Sequence, residues 1–169
     1  MSTQQNYSPK SSTRSNQVVA LEKGRVPPQA VDIEEVVIGA LLIDKAAVND
    51  VIDILDSQCF YKEAHTWIFE AIKDLFGKSE PIDIITVANY LRKNGKMELI
   101  GGEHYLAMLS TKVSSAAHVE YHARIILQKY IQRELIRISS EIISDAFDES
   151  TDVLELLDSA EEKLFQIAE

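Results

Sequence analysis

From Ser115 to Glu169 the apolar residues recur at helical spacing in two long runs, divided by a short polar break. With each residue turning the helix by about 100°, Val119, Ala123, Ile126, Leu127 and Tyr130 share one face of the first run. Beyond Tyr130 the stripe moves roughly half-way round the helix, onto Ile131, Leu135, Ile138, Ile142 and Ala146, and Ile136, Ile143 and Phe147 widen it. The two halves of this arm therefore face different partners. Arg133, Glu134, Arg137, Glu141 and Asp145 form a side expected to be solvated, with Arg137 and Glu141 spaced for an ion pair. The second run opens at Thr151, read as its N-cap, and Val153, Leu157, Ala160, Leu164 and Ile167 alternate steps of four and three like a coiled-coil seam. Together the runs predict a helical hairpin closed by that seam. The leftover apolar faces need another body, so the hairpin is expected to associate. The alternative on periodicity alone is burial of both faces within one monomer.

The stretch before the hairpin predicts about five short helices and no strand. Val26-Pro27-Pro28 is an extended entry. Asp32 and Glu35 have capping-box spacing ahead of a helix that is apolar almost all round, from Ile33 to Ile43. Gly39 in its middle costs about 1 kcal/mol in propensity, which implies a neighbouring helix crossing closely there. Asp44 starts a second helix through Val48, Val51, Ile52 and Leu55. A third carries Ala64, Trp67, Ile68, Ala71, Ile72 and Leu75 on one stripe, with Gly77 as its C-cap. Asp83 caps a fourth that stops near Gly95, and Gly101-Gly102 precede a fifth through Tyr105, Leu106 and Leu109. Ile82 to Val87 comes nearest to a strand, but the cap at Asp83 argues against it. The fold class is thus all-α: a helical head over residues 26–112 and a hairpin over residues 113–169.

Composition adds a boundary. Residues 1–25 are rich in Ser, Thr, Gln and Asn, which predicts a disordered tail, read as a plain solvated leader unless it holds a short partner motif. Lys10, Arg14, Lys23 and Arg25 against Glu22 give that tail +3, which leaves −13 on residues 26–169 of the total −10. A surface that acidic repels nucleic-acid backbone, so little or no direct DNA binding is expected except through the tail. Cys59 is the single cysteine, so no internal disulfide forms and a reducing, cytoplasmic location fits. No segment has the length of a membrane span or the apolar core of a signal peptide.

No catalytic constellation emerges. Gly77-Lys78-Ser79 resembles the end of a phosphate loop, but Ile72 stands where that motif needs glycine. His118 and His122 are four apart, yet Val119 replaces the glutamate of the metallopeptidase pattern and no third ligand is evident, so no metal is expected. His65 and His104 read as hydrogen-bonded structural residues, and Cys59 as a buried, inert thiol. The carboxylates between Asp145 and Glu162 follow the outside of the hairpin.

Several stretches, taken in order, resemble the N-terminal domain of the bacterial replicative DNA helicase of the DnaB type. They are Val26-Pro27-Pro28; Glu34 followed by Val37-Ile38-Gly39-Ala40-Leu41-Leu42-Ile43-Asp44; Phe60 with His65 and Ile68-Phe69; Pro81-Ile82-Asp83 with Thr86; Gly101-Gly102 with Tyr105-Leu106; and Arg133-Glu134. The resemblance covers residues 26–169, and the tail lies outside it. It implies a parent that unwinds duplex DNA as a hexameric ring, with a C-terminal RecA-like ATPase domain and linker helix beyond Glu169, and hence a truncated fragment here. On this reading ATP and Mg belong only to that absent domain, and the fragment is not itself an enzyme.

The resemblance further implies an assembly and recruitment module: hairpins pair subunits into dimers or higher forms, heads pack into a collar, and primase, with a helicase loader as a further partner, docks there. Tyr130, Ile136, Ile143, Phe147, Leu154 and Phe165 are the candidate subunit or primase contacts, from their leftover apolar faces. The alternative is a free-standing helical adaptor or regulator of the same fold, touching nucleic acid through the basic tail.

Overall fold

The computed structural model describes residues 24–113 and 116–168; the expected tail, up to residue 23, lies outside the described residues. Seven α-helices follow one another among the described residues: α1 (Val31–Ile43), α2 (Lys45–Val51), α3 (Glu63–Gly77), α4 (Ile84–Lys93), α5 (Glu103–Thr111), α6 (Val119–Phe147) and α7 (Val153–Ala168). A single 3-10 turn, Ser57–Cys59, precedes α3, and no strand occurs among the described residues. The fold is all-α, as the periodicity predicts.

Helix α1 lies at the centre because it has almost no polar surface. Val37, Ile38, Ala40, Leu41 and Leu42 are buried, with α5 on one side and α6 on another. Gly39 marks the close crossing: a Cβ there would sit 2.6 Å from Val113 Cγ2 and nearer still to the Leu109 carbonyl oxygen. Around α1 the core takes Ile68, Phe69 and Ile72 from α3, Val87 and Leu91 from α4, and Leu106 and Leu109 from α5. The first half of α6 closes it with Val119, Ala123 and Ile126.

Helix ends test the local chemistry most directly. Asp44 accepts from the Ala46 amide at 2.8 Å, and Asp83 and Thr86 form the reciprocal box that starts α4. The Asp32/Glu35 box does not form, because α1 begins at Val31 after Ala30, with no side-chain cap. Glu35 pairs with Lys112 instead. Gly95, at φ +67°, ends α4 with the Lys96 amide donating to Leu91 O. The corresponding residue after α3 is not Gly77, which is still helical, but Ser79 at φ +57°, with Ser79 N donating to Phe76 O and Glu80 N to Leu75 O. Helix α7 is capped by Asp152, whose Oδ1 accepts from the amides of Leu154 and Glu155, rather than by Thr151.

The hairpin differs from expectation in its seam. Lys163 reaches Glu141 and Asp145 at 3.3 and 3.7 Å, so α7 runs back along α6 after a turn at residues 148–152. The side of α7 turned to α6 is Leu156, Ala160, Lys163 and Ile167, each half-buried, opposite the buried Ile138 and half-buried Ile142. Val153, Leu157 and Leu164, read as the closing seam, are exposed. Lys163, bridging two carboxylates at the middle of the contact, rotates α7 by about one residue from the seam that apolar spacing alone selects.

Candidate assembly and partner surface

The rotation of α7 gives the hairpin two unlike sides. In an antiparallel pair, residues displaced in the same rotational sense from the contact line lie on the same side. Ile136, Ser139, Ile143 and Phe147 of α6 therefore share a side with Val153, Leu154, Leu157, Leu164 and Phe165 of α7. Exposure is 49% at Ile136, 67% at Phe147, 71% at Leu154 and 61% at Phe165. On an acidic chain this cluster of large exposed apolar side chains, running from that side to the outer flanks of the hairpin, is of the kind that marks an interaction site.

The opposite side is polar and borders a cleft against the head. Arg137 bonds Glu134 at 2.8 Å and Glu141 at 2.5 Å, the latter being the ion pair its spacing predicts. Those two carboxylates hold the Arg137 guanidinium above its usual range, and Arg137 with Lys163 holds Glu141 below its own. Arg133 does not belong to a solvated side. It is half-buried and donates to Pro28 O at 2.8 Å and Cys59 O at 2.7 Å, tying the extended entry and the turn before α3 to the long arm.

Among the six candidate contacts, Ile136, Phe147, Leu154 and Phe165 are exposed on the apolar face and Ile143 is half-buried there. Tyr130 is set apart: it packs against the head core, and burial, then the nearby Glu134, raises its hydroxyl pKa. Leu157 and Leu164 enlarge the face but were assigned to the closing seam by their spacing.

A buried polar chain crosses the head. Glu34 and His65, 1% and 0% exposed, meet at 2.6 Å through Glu34 Oε2 and His65 Nδ1, and His65 Nε2 lies 2.7 Å from the Tyr105 hydroxyl. Groups at the two ends that only donate fix the directions. The Tyr61 and Lys62 amides donate to Glu34 at 2.7 and 3.3 Å, so His65 Nδ1–H donates to it as well. Lys62 Nζ donates to the Tyr105 oxygen at 2.7 Å, leaving the Tyr105 O–H for His65 Nε2. The chain locks α1, α3 and α5 around residues 60–62.

His65 is thus the hydrogen-bonded structural histidine expected, whereas His104 is exposed and has no hydrogen-bond partner among the described residues. Glu34 went unrecognised as part of this lock, although a carboxylate inside a nearly all-apolar helix is a signal for one. Burial pushes the Cys59 thiol up, as an inert buried cysteine requires. His118 precedes α6 and His122 lies in its first turn; among the described residues no group of His, Cys, Asp and Glu is arranged to hold a metal. No helix among the described residues is long and apolar enough to cross a membrane.

Residues 26–128 match the family model described as the DnaB-like helicase N-terminal domain. The chain belongs to that family. Replicative DNA helicase DnaB of Rhodothermus marinus is 42% identical over 148 residues, 88% of this chain and 16% of that protein. DnaB of Geobacillus stearothermophilus is 37% identical over 145 residues, 86% of this chain and 32% of that protein. The chain thus spans between about a sixth and a third of the length of these relatives. The crystal structure of the N-terminal domain of Mycobacterium tuberculosis DnaB helicase superposes with a TM-score of 0.79 at 35% identity, covering 83% of this chain and 99% of that one. A structure described as a DnaB-like replicative helicase and its interactions with primase gives 0.68 at 22% identity, covering 82% of this chain and 31% of that one, a likeness of fold.

Proposed function

We infer that this chain is the assembly and recruitment module of a replicative helicase. One observation carries the reading: the apolar face shared by α6 and α7, left open by a hairpin that closes along Leu156, Ala160, Lys163 and Ile167. Covering such a face removes apolar surface from water, which favours association. A second copy covers it and brings heads together into a collar; in the full-length parent, six copies form a ring whose separate ATPase domain unwinds DNA. Primase docks on the assembled collar. Support for that partner comes from family membership and from the fold shared with a helicase described together with primase. The loader is a further partner of the same surface class, and the acidic body leaves DNA to other parts of the parent.

The experiment is a titration of primase into the chain, followed by calorimetry. The reading expects saturable binding that Phe147→Asp or Leu154→Asp weakens by tenfold or more through loss of assembly, with helical content unchanged. Absence of primase binding at concentrations where the chain is assembled would remove recruitment from the proposal.

A further inference from the structure

Arg25, Val26, Pro27 and Pro28 form one wall of a groove whose other wall is Arg133, Leu135, Ile136, Arg137 and Ser139 of α6. Val26 is 70% exposed, and Ile136 and Ser139 belong to the apolar side of the hairpin. We propose that Val18-Val19-Ala20-Leu21 of this same chain folds back into the groove and competes with the second copy for Ile136. The competition rests on the reading of the apolar face as a self-association surface; the docking itself does not.

Three observations select this occupant. Val26, Pro27, Pro28, Leu135 and Ile136 give the groove an apolar strip between the arginines and Ser139, and Val18–Leu21 is the one run of four apolar residues in the first 25. The tether is short: Leu21 stands five positions before Val26, which already forms the groove wall, a reach of up to about 17 Å. Gly24 between them has φ +102°, a backbone state suited to turning the chain back and one that side-chain-bearing residues seldom adopt. A segment tethered this closely is present at an effective concentration in the millimolar range, so even a weak apolar contact rivals a partner at micromolar concentration. The segment then sets the concentration at which assembly begins.

The test uses the full chain with Val19→Asp and Leu21→Asp together. Sedimentation should show the dimer constant tightening by about five- to tenfold, as an intramolecular competitor is removed. A paramagnetic label on Gln17→Cys supplies the direct readout, because Cys59 is buried and does not compete for it. It should broaden the Ile136 methyl signals of its own chain, and should not do so when label and isotope are on different copies. An unchanged dimer constant overturns the competition, and a weaker dimer overturns it in favour of a segment that clasps the second copy. Sharp Ile136 signals beside the label overturn the docking. A chain that never self-associates refutes the assembly reading, while the label still decides the docking.

Discussion

Replacing Glu34 with glutamine removes one charge and almost no volume from the buried lock, and its cost follows from the hydrogen bonds. The carboxyl accepts from Tyr61 N, Lys62 N and His65 Nδ1 at 2.7, 3.3 and 2.6 Å. A glutamine oxygen keeps the first. Its NH2 group then meets the Lys62 amide and the His65 N–H, all donors. His65 escapes only by moving its proton to Nε2, which turns a second donor onto a Tyr105 oxygen already taken by Lys62. Each charge-assisted bond lost is worth about 1.5–3 kcal/mol, and partial repacking recovers some of two such losses, so Glu34→Gln should cost about 3 kcal/mol. At the scaling for a chain of this size that lowers Tm by roughly 10 °C. Urea unfolding followed by circular dichroism and by Trp67 fluorescence should show a lower midpoint with an unchanged slope. Tyr105→Phe should be less than additive with Glu34→Gln, since both break one chain. Stability within about 0.5 kcal/mol of the parent would refute the lock.

Three further outcomes are expected. Ser79→Gly should stabilise the chain by about 1 kcal/mol in the same unfolding assay, because Ser79 holds a left-handed conformation that costs a side chain energy; no gain would mean that the C-cap is not strained. Gly39→Ala should destabilise by about 2 kcal/mol or more despite alanine's better helix propensity, since the new methyl meets Leu109 backbone; a neutral result would mean that α5 moves freely away. Burial opposes the charged Glu35 carboxyl, yet the Lys112 ammonium bonded to it lowers its pKa below the ordinary 4.5. The pair therefore contributes stability above that value and loses it as pH falls through the folded-state value. Lys112→Met should flatten the acid limb slightly below about pH 5, because solvent screens the exposed Lys112 end of the pair; an identical acid limb would contradict the pairing.

What was legible in the sequence was local. Asp44, Asp83 and Gly95 act where their residue types demand, because caps and turns are decided within a few residues, and the close crossing at Gly39 follows from a glycine that propensity alone would reject. Partners far apart in sequence were not legible. Glu34 and Glu35 are adjacent acids of one type, and only the fold sends the first to His65 and the second to Lys112. Arg133 stands among charged neighbours at solvent spacing, but its guanidinium finds two backbone carbonyls of the head. The hairpin shows the limit most plainly. Regular spacing established that Val153, Leu157 and Leu164 line a stripe, and spacing carries no information on whether the partner is the same chain or another. The family resemblance, by contrast, was spread over many short stretches whose order made it readable.

Self-association through the open face of the hairpin underlies the proposed role of this chain. Sedimentation equilibrium of the 169-residue chain from nanomolar to near-millimolar concentration tests it, alongside Leu157→Asp and Phe165→Asp, two exposed positions whose replacement leaves the head core untouched. A dimer or larger species that dissociates on dilution is expected, with both variants shifted toward monomer by tenfold or more at unchanged helical content. A monomer at every concentration, or an assembly indifferent to both substitutions, would contradict it.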